Sequence, residues 1–473
     1  MENKKELLSV SELNKKMMGV SQNYFLIDVY NDRESYYAFS PKELQKPENH
    51  LCLAGYLLNL IMDGQLEESW KIIENIPETP ELSLFKMGLK LIHPQINWHD
   101  FLHLLNYLSE KNISLSCFML TAGKPSVMNG LNDFSRIAPM LPKYKELFLK
   151  NLKCIYEEKS VPFIYNLFMA EYQYQQNKLM EAEMLVSSVI KAFDKHDERR
   201  LLFVALYLQS KILIAQGKAV SADSYIEEIN RFSKEKGKAE FSYNIDAVHI
   251  LFSLYEGNVK KITDWLKNSA PDEYASFNML DSYRYVIKMR CYMVTKNYAA
   301  AIALAEKLRS PLVDGKHHMD LCEIDLLLAM NFFEAGKKDF AFEALERALK
   351  IARRRKYYRM VADEGEVMLQ VLLAYAEEKG TNDFLMNIIA LTREMAITHP
   401  HYLKVYFPND QKFSQMEIDI LKLLEMGKSK EEIGRYFFIS LNTVKYHLKK
   451  IYAKLEASSS TQAVWNAKWL GVI

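Results

Sequence analysis

The chain has 473 residues, of which 49% are hydrophobic and 26% charged, and its net charge is +1. This balance favours folded, helix-rich structure over disorder, and the length suggests about three domains. No apolar stretch approaches the roughly 18 residues of a membrane span, and no apolar signal segment follows the first charges. The composition therefore predicts a cytoplasmic protein that has no membrane partner.

The cysteines are scattered singly along the chain. There are five, an odd number, and they form no C-x-x-C pair. Such spacing argues against a disulfide framework and against a cysteine zinc site. We predict reduced core residues at Cys52, Cys117, Cys154, Cys291 and Cys322.

Residues 1–160 are predicted to form an irregular helical region. Residues 54–76 have the pattern of a helical hairpin around Gly64, whereas residues 120–142, LTAGKPSVMNGLNDFSRIAPMLP, are rich in turn formers and predict a long connection. The TAGKPS segment comes nearest to a phosphate loop, but Phe118 replaces the first required Gly and Pro125 the required Ser or Thr. A turn is the favoured interpretation, and we expect no cofactor.

A repeat runs through residues 161–397. Five apolar helical stretches each reach a turn and are followed by an amphipathic stretch, with successive turns 39 or 40 residues apart. The turn residues are Asn177, Gly217, Gly257, Lys296 and Gly336. Gly and Asn suit the left-handed residue that ends a helix, and a period of this length with one hairpin each is typical of a helical solenoid. Since tetratricopeptide repeats have a period of about 34 residues, we predict a tetratricopeptide-like superhelix.

The residue five positions after each turn residue is usually small. It is occupied by Ala182, Ala222, Ile262, Ala301 and Ala341. A small side chain there lets the second helix of a hairpin pack closely against the first. The pattern supports an all-α fold in which each hairpin buries its apolar face against its neighbours.

Residues 398–412, which include Pro400 and Pro408, are predicted to be a linker to a domain at 413–473. From residue 411 onward there are ten Lys and Arg against six Asp and Glu, so this part carries +4 and the rest of the chain −3. Ser414 with Glu417, and Ser429 with Glu432, are capping boxes that start two helices. Gly427 is expected to end the first of these helices.

A third helix is predicted from residue 441 to about residue 455, capped by Ser440, and a fourth helix is predicted to end at Gly471. Two short helices, a tight turn and a basic helix form a helix-turn-helix arrangement. On the third helix an apolar stripe faces the core and comprises Val444, Leu448, Ile451 and Leu455.

The opposite face of the third helix carries the candidate DNA-binding residues. They are Asn442, Thr443, Lys445, Tyr446, Lys449 and Lys450. Lysines can donate to guanine, a tyrosine can contact a thymine methyl group or a phosphate, and short polar side chains can bind phosphate. Lys450 and Lys454 are assigned to phosphate contact or solubility.

Residues 413–473 closely resemble the LuxR-type helix-turn-helix domain. The resemblance is carried by both capping boxes, by Gly427, and by the Thr443-Val444-Lys445 and His447-Leu448 pairs. It implies that Lys445, Tyr446 and Lys449 occupy base-facing positions and that dimers form through residues 461–470. Ser460 departs from the pattern, which has Arg at that position.

The segment YYRMVADEGEVMLQVLL resembles the one that closes the superhelical domain of MalT-like regulators, with Tyr357, Arg359, Asp363, Glu364 and Gly365 matching. Those regulators carry an ATPase in front of the superhelix. We expect that module to be absent here, because the only phosphate-loop-like segment fails the motif.

The sequence favours a sequence-specific transcriptional regulator that binds double-stranded DNA as a homodimer and senses a small-molecule or protein effector on its solenoid. The alternative is a protein–protein interaction scaffold with a weak DNA-binding domain. An enzyme is not expected, since no catalytic constellation is present. A metal site is not expected either: His99 and His103 are spaced i, i+4 but lack a recognisable third ligand.

Overall fold

A computed structural model of the chain describes residues 7–18, 26–78, 80–94, 96, 98–110, 123–130, 132–153, 159–193, 199–234, 239–403, 413–455, 457–469 and 473. Regular structure in these residues is helical, which confirms the predicted all-α class: a tetratricopeptide-like region of helical hairpins followed by a C-terminal helix-turn-helix domain. No described helix is long and apolar enough to cross a membrane.

The N-terminal part consists mainly of short helices around one long apolar helix. They are α1 (Val10–Met18), α2 (Leu26–Asn31), α3 (Arg33–Tyr37), α4 (Pro41–Leu44), α5 (His50–Met62), α6 (Leu66–Glu74), α7 (Pro80–Ile92), α8 (Trp98–Glu110) and α9 (Lys145–Leu152). The hairpin predicted around Gly64 is confirmed: α5 and α6 flank this residue, whose φ is +76°. Leu57 and Ile61 of α5 are buried in the core of this part.

The predicted connection is irregular in its described residues, as expected, but it is not a surface loop. Val127 and Met128 are buried in the main core, and Asn129 Nδ2 donates to Asp320 Oδ1 at 2.7 Å. The Tyr357 hydroxyl donates to Ser135 Oγ. The connection is therefore held inside the superhelix by polar contacts with residues about 190 to 220 positions further along the chain.

The superhelix is a series of helical hairpins. Its helices are α10 (Val161–Gln175), α11 (Leu179–Phe193), α12 (Arg199–Ala215), α13 (Ala219–Lys234), α14 (Ala239–Glu256), α15 (Val259–Asn268), α16 (Ser282–Val294), α17 (Tyr298–Asp314), α18 (His318–Glu334), α19 (Lys338–Arg355), α20 (Tyr358–Ala362), α21 (Gly365–Lys379) and α22 (Asp383–Thr398). One continuous hydrophobic core runs through these hairpins.

The predicted turn residues all adopt left-handed backbone conformations, with φ between 57° and 75°. Each of the five small-residue positions is buried, including the one occupied by Ile262. Both predictions are thus confirmed. The left-handed residues Lys316 and Lys356 end two further helices, α17 and α19. They were not predicted, because lysine carries no turn signal and neither residue lies at the repeat spacing that indicated Lys296.

Residues 399–403, which fall in the predicted linker, pack into the superhelix. Tyr402 is 1% exposed, and His399 Nε2 lies 2.9 Å from the Ile214 carbonyl oxygen. Residue 398 ends α22, and residues 404–412 of the predicted linker lie outside the described residues.

Three of the five cysteines are described, and each has a free, buried thiol: Cys52, Cys291 and Cys322. The prediction of reduced core residues is confirmed for these three. Cys117 and Cys154 lie outside the described residues.

Candidate nucleic-acid interface

The C-terminal domain contains α23 (Gln415–Glu425), α24 (Lys430–Tyr436), α25 (Leu441–Lys454) and α26 (Ser460–Trp469). The first two helices begin with the predicted capping boxes, in which Ser414 pairs with Glu417 and Ser429 with Glu432. Gly427 ends α23 with φ at +75°, as predicted. Gly471 lies outside the described residues.

The apolar stripe of α25 fixes the orientation of this helix. Val444, Leu448 and Ile451 are almost completely buried among residues of the other three helices. The Ser440 hydroxyl accepts from the Thr443 backbone N–H at 3.2 Å and caps the helix as predicted. Since one face is committed to the core, the opposite face of α25 points to solvent.

The structure places most of the candidate DNA-binding residues on this solvent face. The exposed ones are Asn442, Lys445, Tyr446, Lys449 and Lys450. Thr443 is half-buried, and its hydroxyl lies 2.9 Å from Ser440 Oγ at the start of the helix. A helix face with three lysines and no carboxylate offers only positive charge to a partner.

Tyr446 and Lys450 form a pair one turn apart. The Lys450 ammonium lies 4.7 Å from the centre of the Tyr446 ring, which keeps both side chains on the same strip of the helix. A hydrogen bond to Tyr446 raises the pKa of Lys450 above its usual value, so the lysine is fully charged at neutral pH.

Lys454 does not lie on the solvent face, and its assignment to phosphate contact or solubility is corrected. Its ammonium lies 2.6 Å from Glu417 Oε2, and the two side chains are 7% and 4% exposed. Glu417 also belongs to the first capping box, so Lys454 joins the end of α25 to the start of α23. Lys454 follows Ile451 by three positions, which places the two side chains on adjacent faces and could have indicated partial burial.

The turn between α24 and α25 is tight. The Ile439 N–H donates to the Gly434 carbonyl oxygen at 2.9 Å, and a Cβ at position 434 would lie 3.0 Å from the Ile439 carbonyl oxygen. Gly434 is buried here, which allows the backbone segments to approach closely. Phe438 has φ at +55° and is 96% exposed at the tip of the turn.

A second candidate site is a cavity of about 120 Å³ inside the superhelix. It is lined by the first helices of successive hairpins and by the turn at residues 124–129. Tyrosines and paired charges predominate in its wall, among them Lys211, Arg290 and Glu323. Sequence reasoning missed this cluster, because each helix contributes only one to four of the lining side chains and no local motif results.

Comparison with known families agrees with both parts of the structure. Residues 156–378 match the family model described as MalT-like TPR region. Residues 411–467 match the model described as bacterial regulatory proteins, luxR family. The helix-turn-helix domain with its exposed basic helix therefore makes this chain a DNA-binding transcription regulator. Its C-terminal domain matches the luxR family model and follows a MalT-like TPR region, so both resemblances seen in the sequence are confirmed.

Proposed function

We propose that α25 enters the major groove and reads sequence through Lys445, Tyr446 and Lys449. All three side chains are exposed on the face opposite the buried stripe, within the first nine of the 14 residues of the helix. Lysine ammonium groups can donate to guanine O6 and N7, and a tyrosine ring can contact a thymine methyl group. The exposed face of α25 is the observation that carries this proposal.

The remaining candidates are assigned to the DNA backbone. These residues lie beside the reading residues. Asn442 and Thr443 are at the start of the helix, and Lys450 is one turn after Tyr446. A helix N-terminus and short polar side chains are common phosphate ligands, and such contacts fix the register of the helix in the groove. Affinity then depends on phosphate charge, while specificity depends on the base contacts.

We further propose that the protein binds as a homodimer. One helix-turn-helix unit makes few contacts, and paired units on two half-sites give useful affinity. Trp465 on α26 supports this arrangement: this large aromatic residue has the Lys267 ammonium 5.0 Å from its ring centre and is still 44% exposed. Aromatic side chains of this kind are enriched in protein interfaces.

The superhelix is proposed to act as the sensor that controls DNA binding. Its internal cavity and the packing of residues 399–403 against it, next to the segment that leads into the DNA-binding domain, support this role. An interaction scaffold with a weak DNA-binding domain is the alternative, and it predicts no sequence-specific DNA affinity.

The test starts with the full-length protein and a pool of random DNA fragments. Sequencing of the retained fragments is expected to yield a motif with two-fold symmetry, because a dimer reads two half-sites. The double variant Lys445→Ala plus Lys449→Ala should then lose at least about tenfold in affinity for that motif, as each good base contact is worth roughly 1–3 kcal/mol.

The matched control is Lys218→Ala plus Lys350→Ala, two exposed lysines of the superhelix. This variant should bind the motif as the unmodified protein does. Unchanged specific binding by the Lys445 and Lys449 double variant would show that the reading face is wrong. Retention of fragments without any shared motif would favour the scaffold.

A further inference from the structure

The cavity in the superhelix has two poles of opposite charge. At one pole Asp363 is shared by two cations, since Arg359 donates to one carboxylate oxygen and the Lys211 ammonium lies 3.2 Å from the other. At the other pole a single cation, Arg290, contacts both Glu364 and Glu323. One pole thus has a surplus positive charge and the other a surplus negative charge.

Burial and neighbouring charges act in opposite directions on the groups at both poles. Burial disfavours the Lys211 ammonium, but Tyr174 and Asp363 beside it outweigh burial and raise its pKa well above the usual value. Burial also raises the pKa of Glu364, yet Arg290 donates to both of its oxygens and the Tyr402 hydroxyl donates to one of them. These hydrogen bonds favour the charged carboxylate and oppose the effect of burial.

Both poles remain open to the cavity. The side chains of Lys211 and Glu323 line it and are 21% and 26% exposed. A lysine ammonium has three donors, and only one of the two Glu323 oxygens accepts from Arg290. Tyr207 also lines the cavity: burial is the main cause of its raised pKa, to which Lys211 and Glu323 contribute with opposite signs.

An unused acceptor lies beside the negative pole. Asn129 lines the cavity and is 5% exposed, but its Oδ1 accepts no hydrogen bond from the residues that the structure describes. Its amide nitrogen donates to Asp320, which is three positions before Glu323 on the same face of α18. Such a buried, unpaired oxygen in a cavity wall indicates a donor on a bound molecule.

Size and charge restrict the ligand. With roughly 10–15 Å³ for each water-sized position, the cavity holds about ten non-hydrogen atoms. Its wall carries five carboxylates (Glu171, Asp320, Glu323, Asp363 and Glu364) against three cations (Lys124, Lys211 and Arg290). Since there is no positive surplus, phosphate esters and other polyanions are disfavoured. Two opposite poles match a small zwitterion.

We propose that this cavity binds a free α-amino acid, whose carboxylate lies on Lys211 and whose ammonium group donates to Glu323 and to Asn129 Oδ1. The amino acid would be the effector of the sensor proposed above, and its effect on DNA binding rests on that proposed sensor function. Arg290 provides the link, because it holds Glu323 and also donates to Tyr402, which precedes the segment leading to the DNA-binding domain.

The test is isothermal titration of the full-length protein with each of the twenty standard amino acids. At least one should bind, and its methyl ester and its deaminated hydroxy acid should each bind about tenfold more weakly, because each lacks one charge-assisted hydrogen bond. Absence of binding by all twenty, or equal binding of the charged and uncharged analogues, overturns the proposal.

Variants identify the pole that each group uses. Glu323→Gln should weaken binding of the amino acid about tenfold and leave binding of the hydroxy acid unchanged. Lys211→Met should weaken binding of the amino acid about tenfold and leave binding of its methyl ester unchanged. A variant that merely loosens the fold would weaken all ligands alike. Glu343→Gln and Lys350→Met, two exposed residues of α19, are the controls and should bind as the unmodified protein does. Retention of full affinity by both cavity variants also overturns the proposal.

The same preparations separate this proposal from the proposed function. The Lys445→Ala plus Lys449→Ala variant should lose specific DNA binding and keep amino-acid binding. If no amino acid binds but specific DNA binding is normal, the proposed ligand class is wrong and the proposed DNA reading face is unaffected. If the unmodified protein binds an amino acid but has no sequence-specific DNA affinity, the proposed regulatory role is wrong and the proposed ligand site is unaffected.

Discussion

Tyr402 stacks on Tyr255, with ring centres 4.2 Å apart and ring planes 14° from parallel. The two residues are 147 positions apart in the sequence. The Tyr402 hydroxyl also donates to Glu364 Oε2 at 3.2 Å and accepts from Arg290 Nε at 3.1 Å. The start of the segment that leads to the DNA-binding domain is thereby joined to the wall of the cavity.

Tyr402→Phe should destabilise the superhelix by about 1–2 kcal/mol. The variant keeps the stacked ring, but the buried Glu364 carboxylate and the buried Arg290 guanidinium each lose one hydrogen-bond partner. The free energy of unfolding in urea measures the effect. The control Tyr274→Phe changes a side chain that is 90% exposed and should alter the free energy by less than about 0.5 kcal/mol. Equal stability of both variants would contradict a structural role for the Tyr402 hydroxyl.

Lys454→Met should loosen the C-terminal domain, because it leaves Glu417 buried without its cation. We expect a loss of about 2–4 kcal/mol, read out as faster amide hydrogen exchange in α23 and α25. Lys468→Met is the matched control. Its ion pair with Glu425 has the same 2.6 Å separation, but the side chains are 52% and 37% exposed, so less than about 1 kcal/mol should be lost. Similar exchange in the two variants would show that burial of the pair does not matter.

Lys450→Ala should weaken DNA binding nearly equally for specific and random sequences. A lost phosphate contact lowers the slope of log affinity against log salt concentration by about 0.9. Titrations of both DNA types at several salt concentrations check this. A loss confined to the specific motif would instead place Lys450 among the base-reading residues.

Gly336→Ala should destabilise the superhelix by about 1 kcal/mol through the backbone alone. The φ of Gly336 is +73°, and a Cβ there would meet no atom within 4 Å. The reciprocal change Lys296→Gly, at a left-handed lysine in the equivalent turn, should stabilise by a similar amount. Thermal unfolding of both variants tests the pair, and shifts of the same sign would refute the explanation.

Glu171 should give the protein a pH-dependent stability. Burial raises the pKa of this carboxyl from 4.5 to about 7, whereas Ser126 and two backbone N–H groups lower it less. Between these values the unfolded chain has released the proton and the folded chain still holds it, so stability falls as pH rises.

The measurement is urea unfolding from pH 4.5 to pH 7.5 for the unmodified protein and for Glu171→Gln. The difference in unfolding free energy, unmodified minus variant, should fall by about 3 kcal/mol across this range, since each pKa unit corresponds to 1.36 kcal/mol. A difference that is constant with pH would show that Glu171 ionises normally. Because the variant retains all other titrating groups, this difference isolates the contribution of Glu171.

Local chemistry made much of this structure predictable. The capping boxes at Ser414 and Ser429 and the stripe through Val444 and Leu448 depend on residues three or four positions apart, and all were found where the sequence placed them. The left-handed Lys296 followed from the repeat period. Lys316 and Lys356 lie outside that period and were not predicted, because the surrounding structure imposes their conformation against their own preference.

The sequence by itself determined the helices, the repeat period, the helix-turn-helix and which face of α25 is apolar, since each follows from hydrophobic periodicity and short-range hydrogen bonding. The tertiary structure alone decided that Lys454 is buried against Glu417, that the turn containing Lys124 lines a cavity and that Arg290, Glu364 and Tyr402 meet. The contacts of Lys454 with Glu417 and of Arg290 with Tyr402 join residues 37 and 112 positions apart. Which distant charges share a buried pair depends on how the hairpins stack, and no local pattern encodes that geometry.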